Sequence, residues 1–284
     1  MSDPAETNAD QLAFWNGPGG QVWVERQAHT DATLALVSAA LLARAAPRPG
    51  ERVLDVGCGC GALTLELARA VGPTGHVAGL DISAPMLAEA RARARAAGLQ
   101  NVAWLQADAA SAALEGFDLL ISSFGLMFFG DPVAAFAHLR RAARPNARAA
   151  FVCWRPLPEN PWLAVPMRAI GPHLSEQPPE DPQGPGMFAL ADPARIARIL
   201  GEAGWARPTV EPLQLELDIA AGRGLDQAVV QTTKIGLVSA WLQGEPAETV
   251  AAATASIREA LTSHVEGASV RLPAAMWLVT SAPA

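Results

Sequence analysis

The sequence predicts an α/β protein with a doubly wound, mostly parallel sheet, and two observations carry this prediction. From Glu51 onward, short apolar runs typical of buried strands alternate with segments whose apolar residues recur every three to four positions. Glycine or proline bounds most of these segments, as is typical of helix ends. Because regular alternation of strand and helix builds parallel sheets covered by helices, the pattern indicates this fold class.

Five strands with intervening helices are predicted between residues 51 and 154. The first helix carries Leu63 and Leu67 on one face and ends at Gly72. Later helices begin after Ser83 and Asp131, which are good N-cap residues and are each followed by a proline within the first turn. The predicted strands are Arg52–Val56, His76–Asp81, Asn101–Gln106, Phe117–Ser122 and Arg148–Trp154.

Four regions are predicted along the chain. Residues 1–50 form an N-terminal helical segment, and residues 51–220 contain the sheet. Within the latter, residues 155–190 are rich in proline and lack periodicity, which predicts an irregular, lid-like connection. Residues 221–270 form a helical cap insertion, and residues 271–284 return as a last, antiparallel strand.

Composition and charge exclude several classes of partner. The net charge is -7, Lys234 is the single lysine, and the arginines are scattered, so nucleic acid is not expected as a ligand. No apolar stretch reaches the roughly 20 residues that span a bilayer. The polar, acidic start MSDPAETNAD lacks the features of an export signal, and a cytoplasmic location is the expectation.

The stretch VLDVGCGCG, Val53 to Gly61, places Cys58 and Cys60 between glycines after an apolar run. A zinc site needs about four ligands, whereas Cys153 stands alone and the five histidines share no ligand spacing. No metal is therefore expected. Alternating glycines allow a sharp turn that brings bare backbone close to a ligand, so the two cysteines are interpreted as small residues within that turn.

Three carboxylates stand at or beside the ends of successive predicted strands: Asp55, Asp81 and Asp108. At the second strand end a carboxylate can bind the two hydroxyls of a ribose, and at the third it can accept from an exocyclic amine such as that of adenine. Asp55 would attract a positive charge. The alternatives are structural, because Asp81 could cap the next helix and Asp108 could start a turn.

The sequence resembles the class I S-adenosylmethionine-dependent methyltransferases, in particular the branch that includes the ubiquinone and menaquinone methyltransferases. The resemblance covers about residues 50–155 and implies a Rossmann-like fold, S-adenosylmethionine as cofactor and a small-molecule acceptor. In one departure, RPNAR, similar proteins commonly have two glycines, and Asn146 is expected to adopt a left-handed turn there. The matching blocks are VLDVGCGCG (Val53–Gly61), GLDIS (Gly79–Ser83), QADAA (Gln106–Ala110) and FDLLISSFGLMFF (Phe117–Phe129).

The resemblance also implies which residues contact the cofactor. The first block would hold the methionine part, the second the ribose and adenine, and the third the adenine edge. The N-terminal segment is expected to cover this site. The implied contacts are Asp55, Gly57, Cys58, Gly59, Asp81, Ile82, Met86, Asp108, Ala109, and Ser122 or Ser123, and Trp23 is added from the N-terminal segment.

Methyl transfer from a sulfonium is an in-line displacement, for which the protein must align donor and acceptor and exclude water. A base is needed only if the acceptor must lose a proton, and His29 is the tentative candidate. Apolar residues after the fourth strand and in the flanking segments predict a hydrophobic or aromatic small acceptor. The predicted pocket comprises Trp15, Phe124, Met127, Phe128, Trp162, His173 and Met187.

Two other functional classes stay open at the level of the sequence. One is a binding protein that keeps the cofactor fold without catalysis, and the other is a nicotinamide-dependent reductase. The alternating glycines differ from the G-x-G-x-x-G dinucleotide fingerprint and argue against the reductase. The helical residues 221–268 are compatible with a cap over the substrate, with a homodimer contact or with plain core.

Overall fold

The computed structural model describes residues 9–174 and 184–284. Its strands are β1 (Arg52–Val56), β2 (His76–Asp81), β3 (Val102–Gln106), β4 (Phe117–Ser123), β5 (Ala143–Trp154), β6 (Thr209–Asp218), β7 (Val265–Glu266) and β8 (Ser269–Ser281). Its helices are α1 (Ala9–Asn16), α2 (Pro18–Glu25), α3 (Gln27–Ala45), α4 (Ala62–Val71), α5 (Ala84–Ala96), α6 (Pro132–Ala142), α7 (Pro161–Ile170), α8 (Pro193–Glu202), α9 (Leu225–Lys234), α10 (Gly236–Leu242) and α11 (Ala247–Thr262).

The strands form one sheet in the order β3-β2-β1-β4-β5-β8-β6, with β7 paired to β8. β1 to β5 pair in parallel, whereas β8 runs antiparallel to both β5 and β6. The predicted fold class, a mostly parallel sheet with an antiparallel last strand, is confirmed. Because the order reverses between β1 and β4, the loops after these two strands lie at the place on the carboxyl edge where ligands of such sheets bind.

Local chemistry explains the helices around this edge. Ser83 accepts a hydrogen bond from the Met86 backbone at the start of α5. In the same way Asp131 accepts one from Ala134 at the start of α6, as its N-cap position predicts. α4 ends at Gly72, whose positive φ of 67° suits glycine. Every residue of β1 after Arg52 is buried, and all of them are apolar except Asp55.

Three predicted details were wrong. β5 begins at Ala143 and shifts register against β4 between Phe117 and Leu119, so the expected left-handed turn at Asn146 is absent. Residues 155–190 are not all irregular, because α7 lies within them and tolerates Pro166. Part of that predicted connection, residues 175–183, lies outside the described residues. The last strand begins at Ser269 rather than at 271.

The N-terminal segment packs on the sheet, and the cap packs on α7. α3 runs across the sheet and buries Val37, Leu41 and Ala45. α11 buries Ala253 and Ile257 and packs against α7. In the described part of the chain, no helix has the length and apolarity needed to cross a bilayer.

Candidate functional site

The glycine loop, residues 57–61, follows β1 at the carboxyl edge. Gly57, Gly59 and Gly61 all have positive φ, at 69°, 53° and 82°. A Cβ on Gly57 would lie 2.8 Å from Cα of Gly125, so the loop and the turn after β4 touch backbone to backbone. At Gly59 such a Cβ would meet only the Met86 sulfur, at 3.8 Å, which leaves the backbone of this glycine open to a ligand.

Asp81 joins the glycine loop to the end of β2. One carboxylate oxygen accepts a hydrogen bond from the Gly59 N–H at 2.8 Å, and the other accepts from the Ser83 N–H at 2.8 Å. The side chain is buried, and this burial raises its pKa although the N–H donors act in the opposite direction. Each oxygen keeps a further lone pair for a ligand hydroxyl.

Asp108 lies on the same edge of the sheet as Asp81. Asp81 pairs with Gln106 in the β2–β3 register, and the Ala107 N–H donates to the Asp81 carbonyl at 3.1 Å. The Asp108 carboxylate is half-buried and accepts from the Ala110 N–H at 2.8 Å, while Ala109 is buried beside it. The structure therefore places Asp81 at the end of β2 and Asp108 just after the end of the neighbouring strand β3.

Asp55 lies beneath the glycine loop, fully enclosed. Its carboxylate accepts a hydrogen bond of 2.6 Å from the Thr64 hydroxyl. Burial, with a smaller contribution from the nearby charge of Asp81, raises the pKa of Asp55 to about 7. A cation bound at the loop would favour the ionised form of this group.

The two loop cysteines are buried thiols. Burial raises the pKa of Cys58 well above its ordinary value and that of Cys60 to about 12, so both are protonated at neutral pH. Across residues 9–174 and 184–284, no group of three or more His, Cys, Asp or Glu side chains is arranged to hold a metal ion. The cysteines act here as small packing residues of the turn.

Ser122 was expected to line the cofactor, and its hydroxyl is committed elsewhere. It donates to the Val56 carbonyl at 2.7 Å and accepts from the Gly125 N–H at 3.1 Å, with the side chain buried. Ser122 therefore fastens the turn after β4 to the end of β1. Ser123 is half-buried and pairs with Val152 in the sheet.

The N-terminal segment covers the end of β2. The Asn16 side chain donates to the Ile82 carbonyl at 3.0 Å and accepts from the Ala84 N–H at 2.9 Å. The Ser83 hydroxyl donates to the Trp15 carbonyl at 2.6 Å. These contacts place α1 directly over the strand end that carries Asp81.

A charged bridge ties α3 to the glycine loop. The Arg93 guanidinium on α5 donates to the Cys60 carbonyl at 2.6 Å and to the Asp31 carboxylate at 2.6 Å. Both side chains are about three-quarters buried, which screens the pair less than a surface pair. The position of α3 and the shape of the loop are thus coupled.

Two aromatic groups stand near the loops. In the first, Trp15 packs edge-on against Trp23 at 5.7 Å and against Phe128 at 5.9 Å between ring centroids. In the second, Phe124 stacks on Trp154 at 4.3 Å, and Trp154 contacts Trp162 at 4.8 Å.

Phe124 itself adopts a left-handed backbone with φ 64°, which is strained for a bulky residue. Of the two methionines of the predicted pocket, Met127 is the chain neighbour of Phe128 in the first group. Met127 is buried and its carbonyl accepts from the Gly186 N–H at 3.0 Å. Met187 reaches α10, where a Cβ on Gly236 would lie 3.8 Å from its terminal carbon.

Neither predicted histidine is placed as a base. His29 is buried, Nε2 lies 2.8 Å from the Ile219 carbonyl, and Nδ1 lies 3.4 Å from a terminal nitrogen of Arg26. Burial lowers the pKa of His29, so the ring is neutral, with Nε2 as donor and Nδ1 as acceptor. His173 lies 2.8 Å from the Ser256 hydroxyl on α11, away from the glycine loop. The tentative assignment of His29 as base is therefore withdrawn.

Two cavities lie away from the glycine loop. A small one in the core is lined by Val56, Ile121 and Trp205 among others, and a surface depression lies beside Arg52 and Arg144 at the amino edge of the sheet.

The fold matches known structures along most of the chain. A crystal structure of a Bacillus halodurans protein assigned as a methyltransferase has a TM-score of 0.55 at 19% identity, covering 87% of this chain and 99% of that one. Haemonchus contortus phosphoethanolamine N-methyltransferase 2, solved with S-adenosyl-L-methionine, has a TM-score of 0.52 at 16% identity, covering 87% and 52%. At these identities the likeness concerns the fold alone.

Sequence relatives supply the family. Residues 53–146 match a family model described as a methyltransferase domain. The chain is 40% identical over 108 residues to 2-phytyl-1,4-naphtoquinone methyltransferase of Trichormus variabilis. This match covers 37% of this chain and 47% of that protein. It is 32% identical over 234 residues to nocamycin O-methyltransferase of Saccharothrix syringae, covering 79% of this chain and 82% of that one. The chain belongs to the S-adenosylmethionine-dependent methyltransferases.

This membership confirms the predicted enzyme class, a methyltransferase, and with it the predicted cofactor, S-adenosylmethionine. It also decides against the nicotinamide-dependent reductase. The family model covers β1 to the start of β5, so it spans the glycine loop and the three carboxylates. The methyltransferase therefore carries its family signature at the edge where the structure gathers these groups.

Sequence reasoning missed several residues that organise this methyltransferase site. Asn16 and Arg93 act through contacts with chain segments 66 and 33 residues away, respectively, which no local pattern reveals. Thr64 lies on the helix face that was read only as apolar, although a polar residue within that face was a usable signal. Trp154 ends β5 and was interpreted only as part of a strand.

Proposed function

We propose that this methyltransferase holds S-adenosylmethionine between the glycine loop and the carboxylates Asp55, Asp81 and Asp108, and methylates a small hydrophobic or aromatic molecule. The observation that carries the proposal is the bond from the Gly59 N–H to the Asp81 carboxylate, which sets the second strand end against the loop. The open Cα of Gly59 and the enclosed carboxyl of Asp55 fit an adenosyl group that ends in a cation.

Each contact has a stated role in the proposal. Asp81 would bind the ribose hydroxyls through its remaining lone pairs. Asp108 and Ala109 would meet the adenine edge, with Ile82 and Met86 beside its plane. Asp55, Gly57, Cys58 and Gly59 would surround the methionine part, and Trp23 and Ser123 would complete the wall.

When bound, S-adenosylmethionine supplies a methyl group that is already activated on a sulfonium. The chain then needs to bind the acceptor in line and to exclude water. Trp15, Phe124 and Phe128, with Met127, Trp162 and Met187, supply apolar surface for this purpose in the proposal. His173 is not carried into the pocket because it is bonded to α11.

We propose that residues 9–50 form the cover of the cofactor site and that residues 221–270 form a cap on the acceptor side. The cover is supported by the contacts of Trp15 and Asn16 with residues 82–84. The cap is supported by the contact of α9 with residue 26 and that of α10 with residue 187. The alternative is that residues 221–270 form a homodimer contact, and sedimentation tests this by measuring the oligomeric state.

The acceptor class is supported by the names of the relatives, which include enzymes that methylate a naphthoquinone and nocamycin. The naphthoquinone relative is matched over about half its length, so its substrate is a guide to chemistry and not to identity. We also propose a cytoplasmic location, since the cysteines Cys58, Cys60 and Cys153 are free buried thiols.

Calorimetric titration tests the site. Wild-type protein is expected to bind S-adenosylmethionine and its demethylated product saturably, and NADH not at all. A Ser123→Ala variant, which removes one hydroxyl group from the proposed wall of the cofactor site, is the control for a small change in that wall. Binding of NADH alone would overturn the proposal, and binding without any turnover across an acceptor screen would favour a cofactor-binding protein without catalysis.

A further inference from the structure

One guanidinium of the N-terminal segment has no anionic partner in the part of the chain that the structure describes. Arg26 follows α2 and is half-buried. Its Nε donates to the Gln231 side-chain oxygen at 2.7 Å, and its terminal nitrogens lie 3.5 Å from the Gln227 oxygen and 3.4 Å from His29 Nδ1. All three acceptors are neutral. Within residues 9–174 and 184–284, no carboxylate lies at ion-pair distance from Arg26.

The donor count leaves part of this guanidinium unused. Arginine carries five N–H groups, of which two are on each terminal nitrogen. One terminal nitrogen directs an N–H group to Gln227, and the other directs one to His29. The second N–H group of each terminal nitrogen has no acceptor in the described part of the chain. A pair of N–H groups on the two terminal nitrogens is the arrangement that binds a carboxylate in a bidentate manner.

A second cation stands close by. Arg223 is exposed in the turn after β6, and burial together with the charge of Arg223 lowers the pKa of Arg26. Asp218 ends β6, and its carboxylate accepts from the backbone N–H groups of Ala220, Gly222 and Val270 at 3.0, 2.8 and 3.0 Å. It forms no ion pair with either arginine among residues 9–174 and 184–284, and neither does Glu25, which is exposed. Both guanidinium groups therefore lack a direct carboxylate partner in that part of the chain.

The position of this charge relates it to the acceptor side of the site. Arg26 lies about one helical turn beyond Trp23, which belongs to the aromatic group with Trp15 and Phe128. On its other side it contacts α9 of the proposed cap. A few residues further along, α3 is bound to the glycine loop through Asp31 and Arg93.

We propose that Arg26, assisted by Arg223, binds a carboxylate group of the methyl acceptor, which makes the acceptor an aromatic or hydrophobic acid. The inference rests on the proposed function and narrows its substrate class. The side chains of Gln227 and Gln231 hold the guanidinium from the cap, so the cap and the bound acid contact the same side chain. The neutral ring of His29 buttresses it without competing for the anion.

Calorimetry with paired probes tests the inference. The probes are benzoate, 2-naphthoate and anthracene-2-carboxylate, each with its uncharged primary amide, titrated at pH 7.5 into protein saturated with S-adenosylhomocysteine. At least one acid is expected to bind roughly tenfold more tightly than its amide. Arg26→Gln is expected to weaken that acid roughly 10- to 100-fold and to leave the amide unchanged, because a hydrogen-bonded charge pair is lost.

Controls separate this role from a structural one. Arg44→Gln removes an exposed ion pair with Glu211 elsewhere on α3 and is expected to keep the preference for the acid. Arg26→Lys keeps the charge without the fork and is expected to fall between wild type and Arg26→Gln. Arg223→Gln changes an exposed residue and is expected to weaken acid binding less than Arg26→Gln does. It is the variant to measure if Arg26→Gln does not fold.

The affinity for S-adenosylhomocysteine distinguishes the two proposals. The inference expects that affinity to stay within about twofold of wild type in Arg26→Gln, because the side chain acts on the acceptor. If the wild type binds this nucleoside yet no acid binds more tightly than its amide, the inference is overturned and the proposed function stands. Retention of the acid preference in both arginine variants overturns it equally. If the wild type binds no adenosyl ligand, the proposed function itself fails.

Discussion

At the scale of single residues, Asp81 combines two roles, and Asp81→Ala removes both. It accepts two backbone N–H groups and, in the proposal, the ribose hydroxyls. Asp81→Ala is expected to weaken S-adenosylmethionine binding by at least about 1.5 kcal/mol, because charge-assisted hydrogen bonds are lost. Calorimetric titration measures the change.

The matched control for Asp81 is Asp192→Ala. Asp192 also accepts a backbone N–H, from Ala194 at 2.9 Å at the start of α8, but it is far from the glycine loop. Its replacement is expected to lower stability modestly and to leave cofactor affinity intact. Equal losses of affinity in both variants would show that Asp81 acts only through the fold.

Asp55 makes stability depend on pH in an unusual direction. Its pKa is raised from 3.8 to about 7, so between these values the unfolded chain releases a proton that the folded chain keeps. The free energy of unfolding is therefore expected to fall as pH rises from 4 to 7, by up to about 4 kcal/mol, relative to Asp55→Asn. Denaturant titrations of both proteins at several pH values test this.

The comparison has a second outcome when ligand is present. S-adenosylmethionine carries the cation that favours ionised Asp55, so wild-type affinity is expected to rise between pH 5.5 and 7.5 by more than that of Asp55→Asn. The variant retains the Thr64 contact through its amide oxygen and lacks the titration. Parallel pH profiles in the two proteins would contradict the placement of Asp55 beside the cation.

At the scale of elements, the glycine loop depends on close backbone approach. Gly57→Ala is expected to destabilise the protein and to abolish cofactor binding, because its φ is 69° and its Cβ would lie 2.8 Å from Cα of Gly125. Thermal unfolding and cofactor titration measure both effects.

The control for that loop is Gly72→Ala. Its φ of 67° is nearly the same, but no atom lies within 4 Å of the added Cβ. Both variants carry backbone strain of about 1 to 3 kcal/mol, with ψ at −175° in Gly72, and only Gly57→Ala carries the clash. A similar loss in the two proteins would mean that the contact between the two loops is dispensable.

Local patterns predicted these elements well where the chain decides its own conformation. β1 and β2 have the predicted bounds, and the caps at Ser83 and Asp131 are formed by neighbours within three residues. The left-handed turn at Asn146 was wrong because this residue lies within β5, in the irregular stretch between the pairs Phe117–Ala143 and Leu119–Arg148 with β4. Pairing between distant strands overrides a local turn preference.

At the scale of the whole molecule, ligand binding is expected to stabilise the methyltransferase. The N-terminal cover, the glycine loop and α5 are joined by the bonds of Asn16 and Arg93, so a ligand among them binds the folded state alone. At a concentration about 100 times the Kd, S-adenosylmethionine should raise the free energy of unfolding by about 2.7 kcal/mol.

This corresponds to a rise in Tm of about 5 to 10 °C for a chain of this size. Differential scanning calorimetry checks it, with NADH at the same concentration as the control. A Tm that does not change with saturating S-adenosylmethionine would contradict the proposed site.

By itself the sequence determined the parallel sheet, the glycine loop and the positions of three carboxylates at strand ends. These follow from hydrophobic periodicity and turn chemistry, which act between near neighbours, whereas the enzyme class followed from the resemblance of short motifs to a known family. The tertiary structure alone decided that His29 is enclosed and neutral, that Ser122 fastens two loops, and that Arg26 contacts the neutral side chains of Gln231 and Gln227. The reason is physical: burial, electrostatic environment and hydrogen-bond partners are set by side chains that the fold brings together from distant parts of the chain.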